Sequence, residues 1–187
     1  MKQKIKNALI SVSDKTELNS ILKILRKYKI KVISSGGTYS SIKKLGYDCT
    51  EISKYTGFKE MLDGRVKTLH PKIHAGILHD RYNKKHQGEM DRQKFPSLDL
   101  IIVNFYPFQK IVTESKNYRK IIENIDIGGP TMVRAAAKNF KNVSIITNRS
   151  DYPNLIHEIE KHNGKTSLKF RELMSSKAFG LTAYYDA

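Results

Sequence analysis

The chain has 187 residues, of which 39% are hydrophobic and 28% charged, and its formal net charge is +16. This composition fits one soluble domain with a substantial core, and it excludes a membrane protein because no apolar run approaches the roughly 18 residues that a span needs. A single cysteine, Cys49, excludes an internal disulfide framework and fits a reducing cytosol, so we predict a cytoplasmic protein.

The positive charge by itself is compatible with nucleic acid, an acidic membrane surface or an anionic small substrate as partner. The basic residues are mostly lysines, however, and they are spread along the whole chain. Proteins that bind nucleic acid tend to cluster arginines, whose planar fork suits phosphates and guanine edges. We therefore predict neither nucleic acid nor a membrane as the main partner.

Apolar runs rich in β-branched residues alternate with helical patterns along the chain. The first helix is predicted over residues 18–28 by apolar residues on one helical face, with Asp14 and Glu17 as its start signal. Strands are predicted at 8–12, 31–35, 100–104 and 143–147, with a weaker one at 48–52. Further helices are predicted over 128–140, with Pro130 in the first turn, and over 152–162 and 166–183.

This alternation predicts the fold class and the place of any ligand. Strands alternating with helices form parallel sheets, and continuous apolar strands indicate burial on both faces. We predict an α/β fold over residues 1–187 as a single domain, with a central, mostly parallel sheet flanked by helices on both faces. Ligands of such folds bind where the carboxyl ends of the strands open into loops.

Two of these loops resemble anion sites. The first strand runs into Ser-Val-Ser-Asp-Lys at 11–15, and the second into Ser-Ser-Gly-Gly-Thr at 34–38. Glycines let backbone N–H groups approach an anion, and a helix N-terminus adds partial positive charge. Taken alone, each loop fits ordinary helix capping and chain turning equally well.

Polar groups also follow the later strands. Asn104 and Tyr106 stand at the end of the strand over 100–104, and Asp126 opens the Gly-rich start of the helix over 128–140. Backbone N–H groups at such a start can face an oxyanion. An Asn turn, a half-buried tyrosine and a carboxylate at a helix dipole explain the same residues without a site.

The segment over 63–76, DGRVKTLHPKIHAG, is rich in cations but is interrupted by proline, so it cannot be one clean helix. Its histidines, His70 and His74, have the four-residue spacing of zinc helices. They lack the glutamate of that motif and have no cysteine nearby, so we predict no metal site. Cys49 is interpreted as a buried thiol.

Five segments in order carry a family resemblance: SVSDK, SSGGT, DGRVKTLHPKIHAGIL, VNFYPF and ENIDIGGPTMVRAAAKN. They closely resemble the IMP cyclohydrolase domain of the bifunctional AICAR transformylase/IMP cyclohydrolase family, from about Ala8 to the C-terminal end. The resemblance implies the methylglyoxal-synthase-like fold and closure of 5-formamidoimidazole-4-carboxamide ribotide to IMP, without metal or cofactor. It also implies a homodimer, and a transformylase domain either in a longer protein or as a separate chain.

Several positions depart from the family pattern. Ser35 replaces the usual threonine, Phe105 replaces a leucine, and Gly180-Leu181 stand where Glu-His is usual. The family's second domain transfers a formyl group from 10-formyltetrahydrofolate, and its expected place begins about where residue 187 stands.

The resemblance also implies roles for individual residues. The catalytic set it implies is Lys67, Tyr106, Asp126 and Lys138. The set for phosphate, ribose and base is Ser11, Ser13, Asp14, Lys15, Ser35, Gly36, Gly37, Thr38, Arg65, Thr68, Asn104, Ile127, Gly128 and Gly129. The choice between Asp126 and Lys138 as the base stays open at this point.

Three other classes of function remain as alternatives. A methylglyoxal synthase would act on a triose phosphate, although the RVKTLHPK segment argues against it. An allosteric module would only sense a nucleotide through the same phosphate loops. A nucleic-acid-binding protein would show salt-dependent affinity for duplexes.

Overall fold

The computed structural model describes residues 2–106 and 108–187, apart from the side chains of residues 109 and 110. Seven strands lie within the described residues. They are β1 (Lys2–Lys4), β2 (Asn7–Val12), β3 (Lys31–Ser34), β4 (Thr50–Glu51), β5 (Leu100–Asn104), β6 (Ser144–Ile146) and β7 (Lys165–Ser167).

Five of the strands form a wholly parallel sheet in the order β4-β3-β2-β5-β6. The central strands are buried on both faces, as their continuous apolar runs predict. In the register, Ile10 pairs with both Ser34 and Ile102, and Val12 pairs with Asn104. The carboxyl ends of β2, β3 and β5 therefore finish side by side, and their loops open at one edge.

Two helical layers cover the sheet, which confirms the predicted fold class. In one layer α1 packs against α2 and α9, and in the other α8 packs against α4 and α10. The helices are α1 (Leu18–Lys27), α2 (Gly36–Lys44), α3 (Ile52–Thr56), α4 (Pro71–Leu78), α5 (Lys84–Gln93), α6 (Phe108–Glu114), α7 (Tyr118–Glu123), α8 (Gly128–Lys138), α9 (Tyr152–Lys161) and α10 (Leu168–Asp186).

The first helix, α1, begins at the predicted residue but without the predicted start signal. The helix begins at Leu18, and its N-cap Glu17 has a left-handed backbone with φ 62° and no capping side-chain bond. The Asp14 carboxylate instead accepts a hydrogen bond from the Thr16 N–H at 2.9 Å. The carboxylate closes a local turn two residues ahead, so the predicted Asp14–Glu17 start signal is wrong.

Two short strands also depart from the sequence patterns. Only Thr50 and Glu51 of the predicted run at 48–52 pair with β3, because α3 begins at the next residue. At the other end of the chain, β7 occupies 165–167 and pairs antiparallel with β1. That two-stranded ribbon is polar and exposed at its edges. Its residues show no periodic pattern of apolar side chains, so the sequence could not predict it.

The long helix α10 is fixed on α8 by buried polar bonds. Arg171, fully buried, donates from Nε to the Phe140 carbonyl at 2.7 Å and from Nη2 to the Lys141 carbonyl at 3.1 Å. Four residues on, the Ser175 hydroxyl donates to the Ala137 carbonyl at 2.8 Å. These bonds satisfy carbonyls at and beyond the end of α8 and set the position of the rest of α10. None of the helices in residues 2–106 and 108–187 combines the length and apolar character of a bilayer span.

Candidate active site

A cleft of about 950 Å3 opens at the carboxyl edge of the sheet. Loops after β2, β3 and β5 line it, together with the first residues of α2 and α8 and the irregular segment before α4. This volume is that of a typical small-molecule site. The structure places all of the predicted site residues on its wall except Asp14 and Lys138.

The loop after β2 is held by the end of β5. The side-chain oxygen of Asn104 accepts hydrogen bonds from the Ser13 N–H at 2.7 Å and the Asp14 N–H at 3.3 Å. The Ser13 hydroxyl lies 2.9 Å from the same oxygen and 2.9 Å from the Phe105 carbonyl. Asn104 thus uses its oxygen structurally, while its amide nitrogen has no partner among the described residues and stays available to a ligand.

The start of α2 forms one end of the cleft. Gly36 adopts φ 51°, and the N-cap Ser35 makes no capping bond with its side chain, so the Ser35 hydroxyl can bind a ligand. Lys15 lies against this start, since its Nζ is 3.8 Å from the position that a Cβ on Gly37 would occupy. Backbone donors, a hydroxyl and an ammonium therefore converge at the positive end of a helix dipole.

The Thr38 side chain is bonded to the end of β2. Its buried hydroxyl donates to the Val12 carbonyl at 2.9 Å and accepts from the Val12 N–H at 3.0 Å. With its proton committed to Val12, the hydroxyl joins α2 to the end of β2. Thr38 lines the cleft, but its hydroxyl is not a free donor for a phosphate.

Lys67 projects from the irregular segment into the cleft between two glycines. Its Nζ lies 3.7 Å from the position of a Cβ on Gly36 and 3.1 Å from that of a Cβ on Gly64. The segment is closed by a pair of backbone hydrogen bonds between Met61 and Val66, at 3.2 and 3.3 Å. Gly64, with φ 90°, lets the turn form and leaves room for the lysine stem.

Arg65, two residues earlier, lines the cleft from a more exposed position. Its Nε donates to a Glu123 oxygen at 3.0 Å, and its Nη2 forms a second bond to the same carboxylate. This pairing raises the pKa of Arg65 and lowers the pKa of Glu123. Because both side chains are exposed, water screens the pair, and an anionic ligand can compete for the guanidinium.

The start of α8 forms the other end of the cleft and is closely packed. A Cβ on Gly128 would lie 2.6 Å from the Thr68 hydroxyl oxygen, and a Cβ on Gly129 would lie 2.4 Å from an Asp126 oxygen. A Cβ at either position would have to displace the Thr68 hydroxyl or the Asp126 carboxylate. Ile127 is the N-cap of the helix and provides no capping side chain, so the N–H of Gly128 is left uncapped, whereas the N–H of Gly129 bonds to Asp126.

Asp126 is half-buried and fixed at both its side chain and its backbone. One carboxylate oxygen accepts from the Gly129 N–H at 2.9 Å, and the backbone N–H of Asp126 donates to the phenol oxygen of Tyr185 at 2.9 Å. Burial raises the pKa of Asp126, and the Gly129 bond lowers it in part. Tyr106, 57% exposed, lines the same cleft.

Lys138 lies outside the cleft of its own chain. It is exposed at the last residue of α8, about 15 Å along the helix from Gly128 by the rise of 1.5 Å per residue. Asp14 is also exposed, and it pairs with Arg149 at 3.2 Å.

The histidines before and within α4 have structural surroundings. The His70 Nδ1 accepts from the Lys72 N–H at 3.1 Å, which makes His70 the N-cap of α4, with Pro71 in the first turn. His74 is half-buried, and burial lowers its pKa. Among residues 2–106 and 108–187, no group of three or more potential ligands is arranged to hold a metal ion.

Comparison with known proteins identifies the family. Residues 17–131 match the model of the MGS-like domain. This chain belongs to the MGS-like domain family. Its residues 136–187 match a second model, the AICARFT/IMPCHase bienzyme, so the two matches confirm the resemblance that the sequence motifs carry.

Relatives of this MGS-like domain cover nearly all of it. Proteins named "Bifunctional purine biosynthesis protein PurH" are 47% identical over 97% of the chain in Clostridium perfringens (strain SM101 / Type A) and 45% identical over 98% in Dinoroseobacter shibae. The chain spans about a third of their length, 36% and 35%. The crystal structure of ForH superposes with a TM-score of 0.85 at 29% identity, covering 97% of this chain and 95% of that one.

Three residues of the site were not predicted from the sequence. Glu60 pairs with Lys67, Glu123 pairs with Arg65, and Tyr185 bonds to Asp126. Opposite charge near a cationic segment is a weak signal for the two glutamates, since the chain has many acidic residues. Tyr185 is 59 residues from Asp126, and no spacing rule could link them.

Proposed function

We propose that this chain is an IMP cyclohydrolase, an enzyme of purine biosynthesis that closes the ring of 5-formamidoimidazole-4-carboxamide ribotide to IMP with loss of water. The observation that carries the proposal is that Lys67, whose ammonium lies beside Gly36 at the start of α2, shares one cleft with Asp126 and the glycine-rich start of α8. Such a cleft offers an anion site at the start of α2, a half-buried carboxylate at the start of α8 and the Lys67 ammonium on the wall that both share.

The 5′-phosphate fits the end formed by α2. The Ser35 side chain makes no capping bond, Lys15 lies beside Gly37, and the first residues of α2 line the cleft. Two or more such donors with a helix dipole are the usual way a protein holds a phosphate without metal. Ser11, Ser13 and Asn104 then line the path of the ribose toward the base.

The base of the nucleotide fits at the end formed by α8. The reaction there needs a proton acceptor, hydrogen-bond donors and a proton donor. The carboxamide nitrogen attacks the formyl carbon, so its proton must be taken. The formyl oxygen gains negative charge, so it needs donors, and it finally leaves as water, so it needs protons. In this proposal Lys67 and the N–H groups of Ile127 and Gly128, all of which line the cleft, donate to the oxyanion.

Asp126 is the base that the geometry favours over Lys138. It is half-buried on the cleft wall, and burial raises its pKa, which makes its carboxylate a better proton acceptor than an exposed one. In this proposal Tyr106, which lines the same cleft, completes the proton path to the departing oxygen. Lys138 has no access to this reaction within one chain.

The relatives support the purine role but extend beyond this chain. Proteins named as bifunctional purine biosynthesis proteins align with it over 97–98% of its length, and it spans about a third of theirs. We propose that the cyclisation belongs to this part and that transformylation needs a further domain or a separate chain. We propose a homodimer as the assembled form.

The test is IMP formation by the purified chain, followed by absorbance after addition of the formylated ribotide with no folate present. Cyclisation at a rate well above the uncatalysed one supports the proposal. Conversion of a triose phosphate instead, or binding without turnover, would support the synthase or sensing alternatives. Folate-dependent formylation of the unformylated ribotide by this chain alone would contradict the assignment of activities.

A further inference from the structure

The phenol oxygen of Tyr185 accepts a hydrogen bond from the backbone N–H of Asp126 at 2.9 Å. Tyr185 lies near the end of α10, and it is not among the residues that line the cleft. Tyr185 therefore contacts the proposed site through its hydrogen bond with Asp126, and it does not contact a ligand in the cleft. Asp126, which Tyr185 holds, is the residue that accepts the proton in the proposed function.

The tyrosine is itself rigidly held. Its ring packs against the rings of Phe105 and Phe108, with centroids 4.9 and 6.1 Å away and the planes tilted by 58°. Tilted aromatic pairs at these separations are favourable, and each restricts the ring to one orientation. Further back along α10, the bonds of Arg171 and Ser175 fix the helix on α8. The hydroxyl is thus delivered to a defined point at the start of α8.

Asp126 is held from two sides as a result. The Tyr185 oxygen fixes its peptide, and the Gly129 N–H fixes its carboxylate. A reacting group must be held in a near-attack position, since a displacement of about 1 Å can cost around 100-fold in rate. A carboxylate fixed at one end only would swing about its backbone.

We infer that Tyr185 is a positioning residue for the carboxylate of Asp126, an inference that rests on the proposed function. Burial raises the pKa of Tyr185 above its ordinary value, so the phenol is neutral at physiological pH and accepts a bond while its own proton stays in place. Through this hydrogen bond, the last turn of α10 positions the group that reacts at the start of α8.

The first test compares Tyr185→Phe with Tyr28→Phe in the full chain. Tyr28 is a half-buried tyrosine at the far end of α1, where no ligand-lining residue lies. Tyr185→Phe keeps the ring but removes the acceptor, so kcat is expected to fall by about 10- to 100-fold while KM changes by less than about threefold. Tyr28→Phe is expected to keep both values within about twofold.

The second test is a double-mutant cycle on kcat with Asp126→Asn. Asparagine keeps the backbone N–H and removes the charged carboxylate. If Tyr185 acts through Asp126, then Tyr185→Phe added to Asp126→Asn lowers kcat by less than about twofold further. A purely structural tyrosine would lower kcat by the same factor in both backgrounds, and that outcome would overturn the inference.

The two proposals fail in different ways. Wild-type cyclisation with an unchanged kcat in folded Tyr185→Phe overturns the role of Tyr185 and leaves the proposed function intact. Absence of cyclisation by the wild-type chain overturns the proposed function and the inference together. Thermal melting of each variant shows whether a lost rate reflects unfolding.

Discussion

The ammonium of Lys67 lies 2.6 Å from a carboxylate oxygen of Glu60. The lysine side chain is 30% exposed and the glutamate 55%, so the pair sits at the mouth of the cleft with the cation on the inner side. A pair this exposed contributes little to the free energy of folding. The pair instead fixes a position, because Glu60 holds the Lys67 ammonium beside Gly36 and Gly64, where it can bind an anionic group.

We expect Lys67→Met to reduce turnover by roughly 100- to 1000-fold, because in the proposed reaction it removes the charge that stabilises the formyl oxygen as that oxygen becomes negative. Methionine keeps most of the stem, so binding of IMP should remain measurable. Lys23→Met, at an exposed position on α1, is the matched control. Steady-state kinetics and melting curves measure both, and a folded Lys67→Met that keeps most of its kcat would remove Lys67 from the mechanism.

We expect Lys138→Met to keep kcat within about threefold, because Lys138 is exposed at the far end of α8. The same kinetic assay measures this. A large loss of kcat in a folded protein would mean that Lys138 reaches a cleft from another copy of the chain. Mixing Lys138→Met with Lys67→Met would then restore activity in mixed dimers, whereas no restoration would accompany a defect within one chain.

Asp126→Asn is expected to abolish most turnover and yet to raise the melting temperature at neutral pH. Burial raises the pKa of Asp126 in the folded state, so ionising it there is less favourable than in the unfolded chain. The associated stability is present below the unfolded pKa and is lost as pH rises through the folded pKa. Melting should therefore show a gain for the variant at pH 7 that shrinks on acidification toward the ordinary pKa of an aspartate carboxyl. A variant less stable than wild type at pH 7 would contradict this.

Gly129→Ala is expected to lower kcat by about 100-fold, because its Cβ would stand 2.4 Å from an oxygen of Asp126 and would displace the carboxylate. Gly180→Ala is the matched control within α10, where a Cβ meets nothing within 4 Å. That change should stabilise the protein by about 0.5–1 kcal/mol and leave kcat unaltered. If Gly129→Ala and Gly180→Ala changed kcat equally, close packing of Gly129 against Asp126 would not control the rate.

Ser35→Ala and Thr38→Val separate ligand binding from folding. Ser35 has an uncommitted hydroxyl, so its loss should raise KM by roughly tenfold with little change in kcat or in melting. Thr38→Val removes both bonds to Val12, so it should lower the free energy of unfolding by about 1–3 kcal/mol. Denaturant titration measures the free energy of unfolding of both variants, and steady-state kinetics measures KM and kcat. A raised KM with unchanged stability in Thr38→Val would instead indicate that Thr38 binds the phosphate.

The parallel sheet and the residues at its carboxyl edge follow from the sequence. Apolar runs such as Leu100–Asn104 are strands because only a doubly covered sheet buries them, and parallel strands then deliver Ser13 and Asn104 to one edge. The motifs identified the family, and they placed Lys67 and Asp126 in one cleft. These features are local or periodic, so the chain order is enough to predict them.

Other features were decided by contacts between distant parts of the chain. Thr38 gives its hydroxyl to Val12, 26 residues away, and Tyr185 receives the Asp126 N–H across 59 residues. Lys138 belongs to the motif of Asp126, yet the straight rise of α8 carries it away from the cleft. A sequence names the groups that can bond, but side-chain hydrogen bonds form only between groups that the packing of helices on the sheet brings within about 3 Å. The tertiary structure therefore determined which polar groups support the fold and which remain available to a ligand.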